Sequence, residues 1–113
     1  MIVYNETYVI EEAIAPHWLE WMQTEQIPAI LKTGWFQSYT ILSVLDSPNE
    51  GKTYCVQFKA DSLASYDHFV KRHLNWFHQL LNQKFENQFV VFNSLMQLID
   101  HKWKLPLPKL RVY

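Results

Sequence analysis

The chain has 113 residues, of which 49% are hydrophobic and 16% aromatic, so its length suits one domain and its apolar content excludes intrinsic disorder. Its formal net charge of −1 divides into +3 on residues 100–113 and −4 on residues 1–99, which argues against a broad nucleic-acid-binding surface on the core. The single Cys55 excludes an intramolecular disulfide, and neither a signal-peptide pattern nor a membrane-spanning apolar run is present, so a cytoplasmic protein is expected.

The first half of the chain predicts a strand, a helix and a second strand. Residues 2–10 are rich in β-branched and aromatic side chains, which favours a strand. A helix is expected from about residue 17 to residue 32, with Gly34 as its C-terminal cap and a kink or break at Pro28, because proline lacks a backbone donor and clashes with the preceding turn. Residues 35–46 are expected to form the second strand.

The second half repeats this order after a turn at residues 47–52, whose proline, asparagine and glycine are typical of a hairpin. Residues 53–60 predict the third strand and residues 89–99 the fourth. Between them, Asp61 or Ser62 is expected to cap a second helix. Apolar residues and one histidine spaced by three and four predict its core-facing side: Leu63, Tyr66, Phe69, Val70, His73, Trp76, Phe77, Leu80 and Leu81. The predicted fold is α+β, a ferredoxin-like βαββαβ sandwich.

Apolar residues on both sides of the first and fourth strands predict a homodimer. In this sandwich two helices cover one side of the sheet and leave the other to water, so that side should be polar. The fourth strand instead offers Val90 and Phe92 on one side and Val91 on the other. A second copy packing sheet against sheet would remove the open side from water. We therefore expect residues 1–99 to form a dimeric α+β barrel, followed by a basic, proline-containing tail at residues 100–113.

Several segments resemble a known family. They are Ile-Val-Tyr-Asn at 2–5, His-Trp-Leu-Glu-Trp-Met at 17–22, Ile-Pro-Ala-Ile-Leu-Lys-Thr-Gly-Trp-Phe at 27–36, Thr-Tyr-Cys-Val-Gln-Phe at 53–58, Lys-Phe at 84–85 and Phe-Val-Val-Phe at 89–92. Together they resemble the domain-of-unknown-function family 4286, an uncharacterised bacterial family of the dimeric α+β barrel superfamily. The resemblance spans about residues 1–99 and implies the fold and the dimer, but no activity. The chain departs from the family at Gln26, where members often have histidine. It also departs at Leu81, which replaces a second histidine that accompanies the one at His73.

Polar and aromatic residues of the predicted core are candidates for binding a small apolar or aromatic molecule between the sheet and the helices. They are Asn5, Trp18, Trp21, Tyr54, His73, Trp76 and Phe77. A histidine between helix and sheet can hold a ligand or transfer a proton, and a buried amide such as that of Asn5 can orient a ligand. An ordinary aromatic core with a hydrogen-bonded histidine explains the same residues more simply.

Two functions of other classes stay open. Related barrels include cofactor-independent monooxygenases and heme-degrading enzymes, and the heme-degrading group resembles this chain in residues that would be Asn5, Trp76 and either His73 or His78. Trp76 and His78 lie about 200° apart on a regular helix, however, so they would not line one wall. RNA-recognition motifs share the βαββαβ order, but Cys55 stands where a base-stacking aromatic residue is expected.

No metal or cofactor is expected. His68, His73 and His78 are spaced by five, and each step turns the side chain by about 140° around a helix, so no pair presents two imidazoles to one ion. The two glycines, Gly34 and Gly51, are too few for a glycine-rich phosphate loop. The sequence therefore leaves open whether the protein is an enzyme.

Overall fold

The computed structural model describes residues 1–102, and these form an antiparallel four-stranded sheet with two helices packed on one side. The strands are β1 (Ile2–Ile10), β2 (Ser38–Ser43), β3 (Lys52–Ala60) and β4 (Phe89–Gln97), in the sheet order β2-β3-β1-β4. This arrangement confirms the predicted α+β ferredoxin-like fold. The tail predicted at residues 100–113 lies outside the described residues from position 103 onward.

The first helix follows a 3-10 turn at Glu12–Ile14 and has three consecutive segments: Ala15–Trp21, the π-helical Met22–Gln26, and Ile27–Lys32. In the π-helical segment the backbone N–H of Ile27 donates to the carbonyl of Met22, five residues earlier. A π turn holds one more residue than an α turn, and this extra room accommodates the ring of Pro28. The break predicted at Pro28 therefore takes the form of a π-helical segment within a continuous helix.

The second helix is built in the same way, from Leu63–Phe69, the π-helical Val70–Leu74, and Asn75–Phe85. Its start is capped as predicted, because the Ser62 hydroxyl accepts a hydrogen bond from the N–H of Ser65. The extra residue of the π turn rotates the following segment by about 100° relative to a regular helix. Trp76, predicted to face the core, is instead 59% exposed, whereas Phe77 is buried.

The core lies between the helices and the sheet side that they cover. Alternate residues of β1 point into it, and there Tyr8 contacts the fully buried Trp18, with ring centroids 4.9 Å apart. Trp18 also stacks on Tyr54 of β3 at 5.3 Å. Aromatic pairs at such distances add to the stabilisation that area burial supplies. No helix of residues 1–102 is long and apolar enough to cross a membrane.

Strand β2 begins three residues later than predicted, at Ser38. Gln37 still donates a backbone hydrogen bond to Lys59 of β3 at 2.8 Å, whereas the two aromatic residues before it contact the second helix. The ring of Phe36 lies 4.7 Å from that of Phe69, and Trp35 stacks on His68 at 4.6 Å.

The other side of the sheet, which we call the open face, has no helix packed on it among residues 1–102, although Asn5 and Thr53 are buried there. It consists of Val3, Asn5, Thr7 and Val9 of β1, Thr53, Cys55, Gln57 and Lys59 of β3, Val90, Phe92, Ser94 and Met96 of β4, and Ser38, Thr40 and Leu42 of β2. Its apolar part runs along β1 and β4, where Val9 pairs with Val90 and Val3 with Met96. Phe92 is 59% exposed between them.

Gly34 and Gly51 both have a left-handed backbone conformation, so alanine substitutions at these two turns can be compared directly. Gly34 has φ +84° and an added Cβ would meet no atom within 4 Å, whereas a Cβ at Gly51, with φ +85°, would clash with the carbonyl oxygen of Ile10. We expect Gly34→Ala to lower the free energy of unfolding by about 1–2 kcal/mol, from backbone strain alone. Gly51→Ala should cost more, because the turn must also move away from β1. Urea denaturation of both variants measures the difference, and equal costs would contradict the close approach of Gly51.

Candidate functional site

The centre of the helix-covered side of the sheet holds a buried carboxylate. Glu6 is the middle residue of β1, and its side chain is only 5% exposed. Because side chains alternate between the two sides of a strand, Tyr4 and Tyr8 point to the same side as Glu6. A buried carboxylate is costly unless hydrogen-bond donors surround it, so its position requires an explanation from its neighbours.

Three side chains contact the two oxygens of Glu6. The Tyr4 hydroxyl donates to Oε2 and the Tyr8 hydroxyl to Oε1, both at 3.1 Å. Nε2 of His78 lies 3.3 Å from Oε2. Both strand neighbours and one helix residue therefore converge on the carboxylate. An ionised carboxylate can only accept hydrogen bonds, so this arrangement favours a hydrogen on Nε2 of His78.

The two tyrosines are held in their neutral, donating form. Burial raises the pKa of Tyr4 above its ordinary value, and the nearby negative charge of Glu6 and the hydrogen bond to it raise that pKa further. The pKa of Tyr8 is raised well above its ordinary value by the same causes, with burial the largest. Both hydroxyls thus remain donors to Glu6 across the physiological pH range.

His78 connects this buried group with the surface. It lies in the segment Asn75–Phe85, which the preceding π turn rotates so that position 78 faces the sheet. Its side chain is 32% exposed, in contrast to that of Glu6. Nδ1 makes no hydrogen bond to any residue of the described range 1–102. The imidazole therefore has one nitrogen directed at a buried carboxylate and the other free for a further partner.

Gln26, at the end of the first π-helical segment, links the two helices next to the carboxylate. Its amide Nε2 donates to the backbone carbonyl of Phe77 at 3.0 Å, and the side chain is buried. The enclosed space here is lined by Tyr4, Glu6, Gln26, Ile30, Phe58, Phe69, Leu74, Phe77 and His78. Its volume of about 10 Å³ is enough for about one water molecule. A larger molecule therefore has to approach His78 from outside.

A surface depression lies between the end of the second helix and the edge strand β4, and we call it the β4 groove. It has a volume of about 550 Å³ and is lined by Asn82, Gln83, Glu86, Asn87, Phe89 and Val91. Asn82 is four residues after His78, so their side chains are neighbours on one helix face. The sheet register places Asn93, two residues after Val91, opposite Glu6. The groove thus begins within one helical turn of His78.

The residues predicted to bind a ligand lie in four separate places. Trp18, Tyr54 and Phe77 belong to the core between sheet and helices. Trp21 packs partly buried against Phe85, with ring centroids 5.5 Å apart, and His73 lies 5.9 Å from the ring of Phe69. Trp76 faces outward. The indole N–H of Trp18 is buried and has no hydrogen-bond partner in the described part of the chain.

Asn5, another predicted ligand residue, lies on the open face instead. Its Nδ2 donates to the Thr7 hydroxyl at 2.9 Å, and Thr7 contacts the sulfur of Cys55 at 3.5 Å. Its Oδ1 is buried without a partner among residues 1–102. Asn5, Trp76 and either histidine therefore do not surround one cavity, as the comparison with heme-degrading enzymes would require. A ligand-binding role for each of the predicted residues stays a prediction.

The sequence analysis did not select Glu6. The signal was present in β1, since an acidic residue with tyrosines two positions before and after it predicts a carboxylate between two hydroxyl donors on one side of a strand. His78 was considered only in the comparison with heme-degrading enzymes and as a metal ligand, because a regular helix directs it away from the core-facing side. Its position depends on the π turn, which hydrophobic spacing does not reveal.

No group of three or more histidine, cysteine, aspartate or glutamate residues able to hold a metal ion occurs within positions 1–102. Glu6 and His78 are two such residues, and the remaining contacts of Glu6 are tyrosine hydroxyls. The chemistry that this cluster can supply is therefore hydrogen bonding and proton transfer by the imidazole and the carboxylate.

Residues 1–99 match the family described as Domain of unknown function (DUF4286). No curated protein matches the sequence. Among solved structures, the chain is similar to HapK from Hahella chejuensis, with a TM-score of 0.68 at 14% identity over 94% of this chain and 100% of that one. It is also similar to a mutant of SnoaB, a cofactor-independent oxygenase from Streptomyces nogalater, with a TM-score of 0.66. The identity is 11% over 88% of this chain and 94% of that one. A dimeric ferredoxin-like protein from an uncultured marine organism is similar too, with a TM-score of 0.62 at 9% identity over 89% of this chain and 100% of that one. Likenesses at such low identities show the fold alone.

The raised pKa values of Tyr4 and Tyr8 predict a loss of stability in alkali. Tyrosines of the unfolded chain ionise near pH 10, whereas these two keep their protons in the folded protein. Their contribution is fully present below about pH 10 and is lost as the pH rises above it, because the unfolded state then binds fewer protons. Urea denaturation at about pH 8 to 11 should therefore show a falling free energy of unfolding.

The double variant Tyr4→Phe/Tyr8→Phe should be less stable near neutral pH, since Glu6 loses two donors at about 1–3 kcal/mol each. Its stability should also fall less steeply above about pH 10. Tyr39→Phe, at an exposed tyrosine, is the control. Equal slopes for the wild type and the double variant would contradict the assignment.

Proposed function

The chain belongs to the DUF4286 family, and from this premise we propose that it is a cytoplasmic homodimer that binds a small organic molecule beside Glu6 and His78. The observation that carries the proposal is the 3.3 Å contact between a buried carboxylate and a partly exposed imidazole. A protein gains little stability from a buried charge that hydrogen bonds must compensate. Such groups with one end open to solvent are typical of binding and catalytic sites.

The chemistry of the ligand follows from the surroundings of His78. The β4 groove has a volume within the range of about 300–1,000 Å³ that is usual for ligand pockets. Phe89 and Val91 offer apolar contacts, and the amides of Asn82 and Gln83 offer polar ones. His78 is not itself a lining residue, but it precedes Asn82 by one helical turn, and its Nδ1 would be the acceptor for a ligand that extends beyond the groove. A flat aromatic or apolar molecule with a hydroxyl group fits this combination.

The open face supports assembly with a second copy. Val90, Phe92 and Met96 are exposed there, and Lys59 is the only charged residue of the face as defined above. Burial of apolar area is therefore the main attraction that this surface offers, at about 25 cal/mol per Å². A membrane or nucleic-acid surface would require basic residues, which this face largely lacks. The dimeric ferredoxin-like protein of similar fold is consistent with a second copy as the occupant.

A cofactor-independent oxygenase is the second candidate. The similar structure of SnoaB bears that description, and the Glu6–His78 pair supplies a base without a metal or an organic cofactor. Activation of a phenolic substrate toward oxygen begins with loss of a proton, for which such a base is suited. Consumption of oxygen by the purified protein with 1-naphthol as the probe, absent in His78→Ala, would favour this candidate over ligand binding alone.

The dimer predicts the effect of a charge on the open face. Phe92→Glu should convert the protein from dimer to monomer, because two carboxylates would be buried without partners across the interface. Leu45→Glu is the matched control, since Leu45 is 94% exposed in the turn after β2 and away from the open face. Analytical ultracentrifugation at micromolar concentration measures the mass. A monomeric wild-type protein would contradict the proposal.

Ligand binding predicts a difference between two probes. We expect 1-naphthol, which can donate a hydrogen bond to Nδ1 of His78, to bind more tightly than naphthalene. His78→Ala should remove this difference by weakening 1-naphthol binding about tenfold, which corresponds to one hydrogen bond. Trp76→Ala changes a residue of the same helix that faces outward, and it should leave the affinity for 1-naphthol unchanged. Titrations followed by protein NMR measure both, and equal binding of the two probes by the wild type would contradict a ligand at His78.

A further inference from the structure

We propose that His78 is a general base, held by Glu6, that removes a proton from carbon next to a carbonyl group in the bound molecule. This inference rests on the proposed ligand site and gives it an activity, the interconversion of keto and enol tautomers.

The carboxylate determines which imidazole nitrogen is basic. The two oxygens of Glu6 already accept from Tyr4 and Tyr8, and Oε2 also faces Nε2 of His78 at 3.3 Å. A carboxylate in this position accepts a hydrogen bond from Nε2–H and has no hydrogen to give. The neutral imidazole then carries its hydrogen on Nε2, which leaves the lone pair on Nδ1. Nδ1 is the nitrogen without a hydrogen-bond partner among residues 1–102.

The same pair stabilises the charge that a proton transfer creates. When Nδ1 takes a proton, the imidazolium lies next to the negative charge of Glu6 in a site of low dielectric. The tyrosine hydroxyls hold the carboxylate in a fixed position, so the site need not reorganise during the reaction. This is the role that a carboxylate has behind a catalytic histidine in other enzymes. Glu6 is a positioning residue, since it acts through His78.

The chemical step is balanced without a further reactant. The substrate C–H bond breaks, its proton moves to Nδ1, and its electron pair moves toward the carbonyl to form an enolate. The imidazolium then returns the proton to the enolate oxygen, which gives the enol. No oxidant, metal or leaving group is required. The amide groups of Asn82 and Gln83 in the adjoining β4 groove are donors for the carbonyl and enolate oxygen.

A purely structural role for the pair fits the geometry less well. A structural ion pair is stabilised when both partners are enclosed and their remaining hydrogen-bonding atoms are satisfied. Here the side chain of His78 is 32% exposed, and Nδ1 is unsatisfied within the described range. The enclosed space beside the pair holds about one water molecule, so the route to Nδ1 is from the solvent side.

The first test reads the position of the hydrogen on His78 directly. Long-range proton–nitrogen NMR spectra of the nitrogen-labelled protein distinguish the two neutral tautomers of each histidine. We expect His78 to be the Nε2–H tautomer in the wild type and to become a mixture in Glu6→Gln, because a side-chain amide can both donate and accept. His68, on the same helix but stacked on Trp35, is the internal control and should not change. An Nδ1–H tautomer of His78 in the wild type would overturn the proposal.

The second test measures proton abstraction with 5-nitrobenzisoxazole. A base removes the C3 proton of this probe, the C–H electrons form a nitrile, and the N–O bond breaks to release a coloured phenolate. His78→Ala should lower the rate about 100-fold, as expected for loss of a general base, while His68→Ala should match the wild type. In Glu6→Gln, the maximal rate should fall by a larger factor than the probe concentration at half-saturation changes. Equal rates in the wild type and His78→Ala would overturn the proposal.

Binding of the naphthol probe separates this inference from the proposed function. If 1-naphthol binds at His78 but the wild type and His78→Ala remove the proton of 5-nitrobenzisoxazole at equal rates, the site binds ligands and His78 is not a base. If 1-naphthol does not bind and those rates are equal, both proposals fail. An Nε2–H tautomer of His78, together with a rate of proton abstraction that depends on His78, supports the general base.

Discussion

The burial of the Glu6 carboxylate is the constraint on which the arrangement of the site depends. A charge enclosed by aromatic rings is tolerated only where donors reach both of its oxygens. β1 supplies two of them through Tyr4 and Tyr8, because residues two apart share one side of a strand. The third contact comes from His78, 72 residues later in the chain. The carboxylate thus joins the central strand to the second helix at one point.

The two π-helical segments make this contact possible. Without the extra residue at Val70–Leu74, the following turns would direct Trp76 toward the sheet and His78 away from it. The segment at Met22–Gln26 has a corresponding effect in the first helix, because it brings the buried Gln26 to the carbonyl of Phe77. Both helices therefore depart from regular geometry next to the same carboxylate. π-helical turns are frequent at functional sites, which agrees with a function for this cluster.

The two sides of the sheet have separate roles in our proposals. The helix-covered side holds Glu6 and His78, and the ligand would approach along the edge strand β4. The open face carries an apolar patch around Phe92 and a short polar chain of Asn5, Thr7 and Cys55. A second copy on the open face would leave the β4 groove reachable from the helix-covered side. Dimer formation and chemistry can therefore be tested by independent substitutions, at Phe92 and at His78.

The amino-acid sequence by itself determined the order of the strands and helices, the α+β fold class and the cap at Ser62, since these depend on local spacing and turn residues. It also located aromatic residues such as Trp18 and Phe77 in the core. Only the tertiary structure decided that Glu6 and His78 meet and that Trp76 faces outward. The physical reason is that a π turn adds one residue to a helix without a mark in the hydrophobic pattern. A contact over 72 residues depends on that rotation and on the packing of the whole helix against β1.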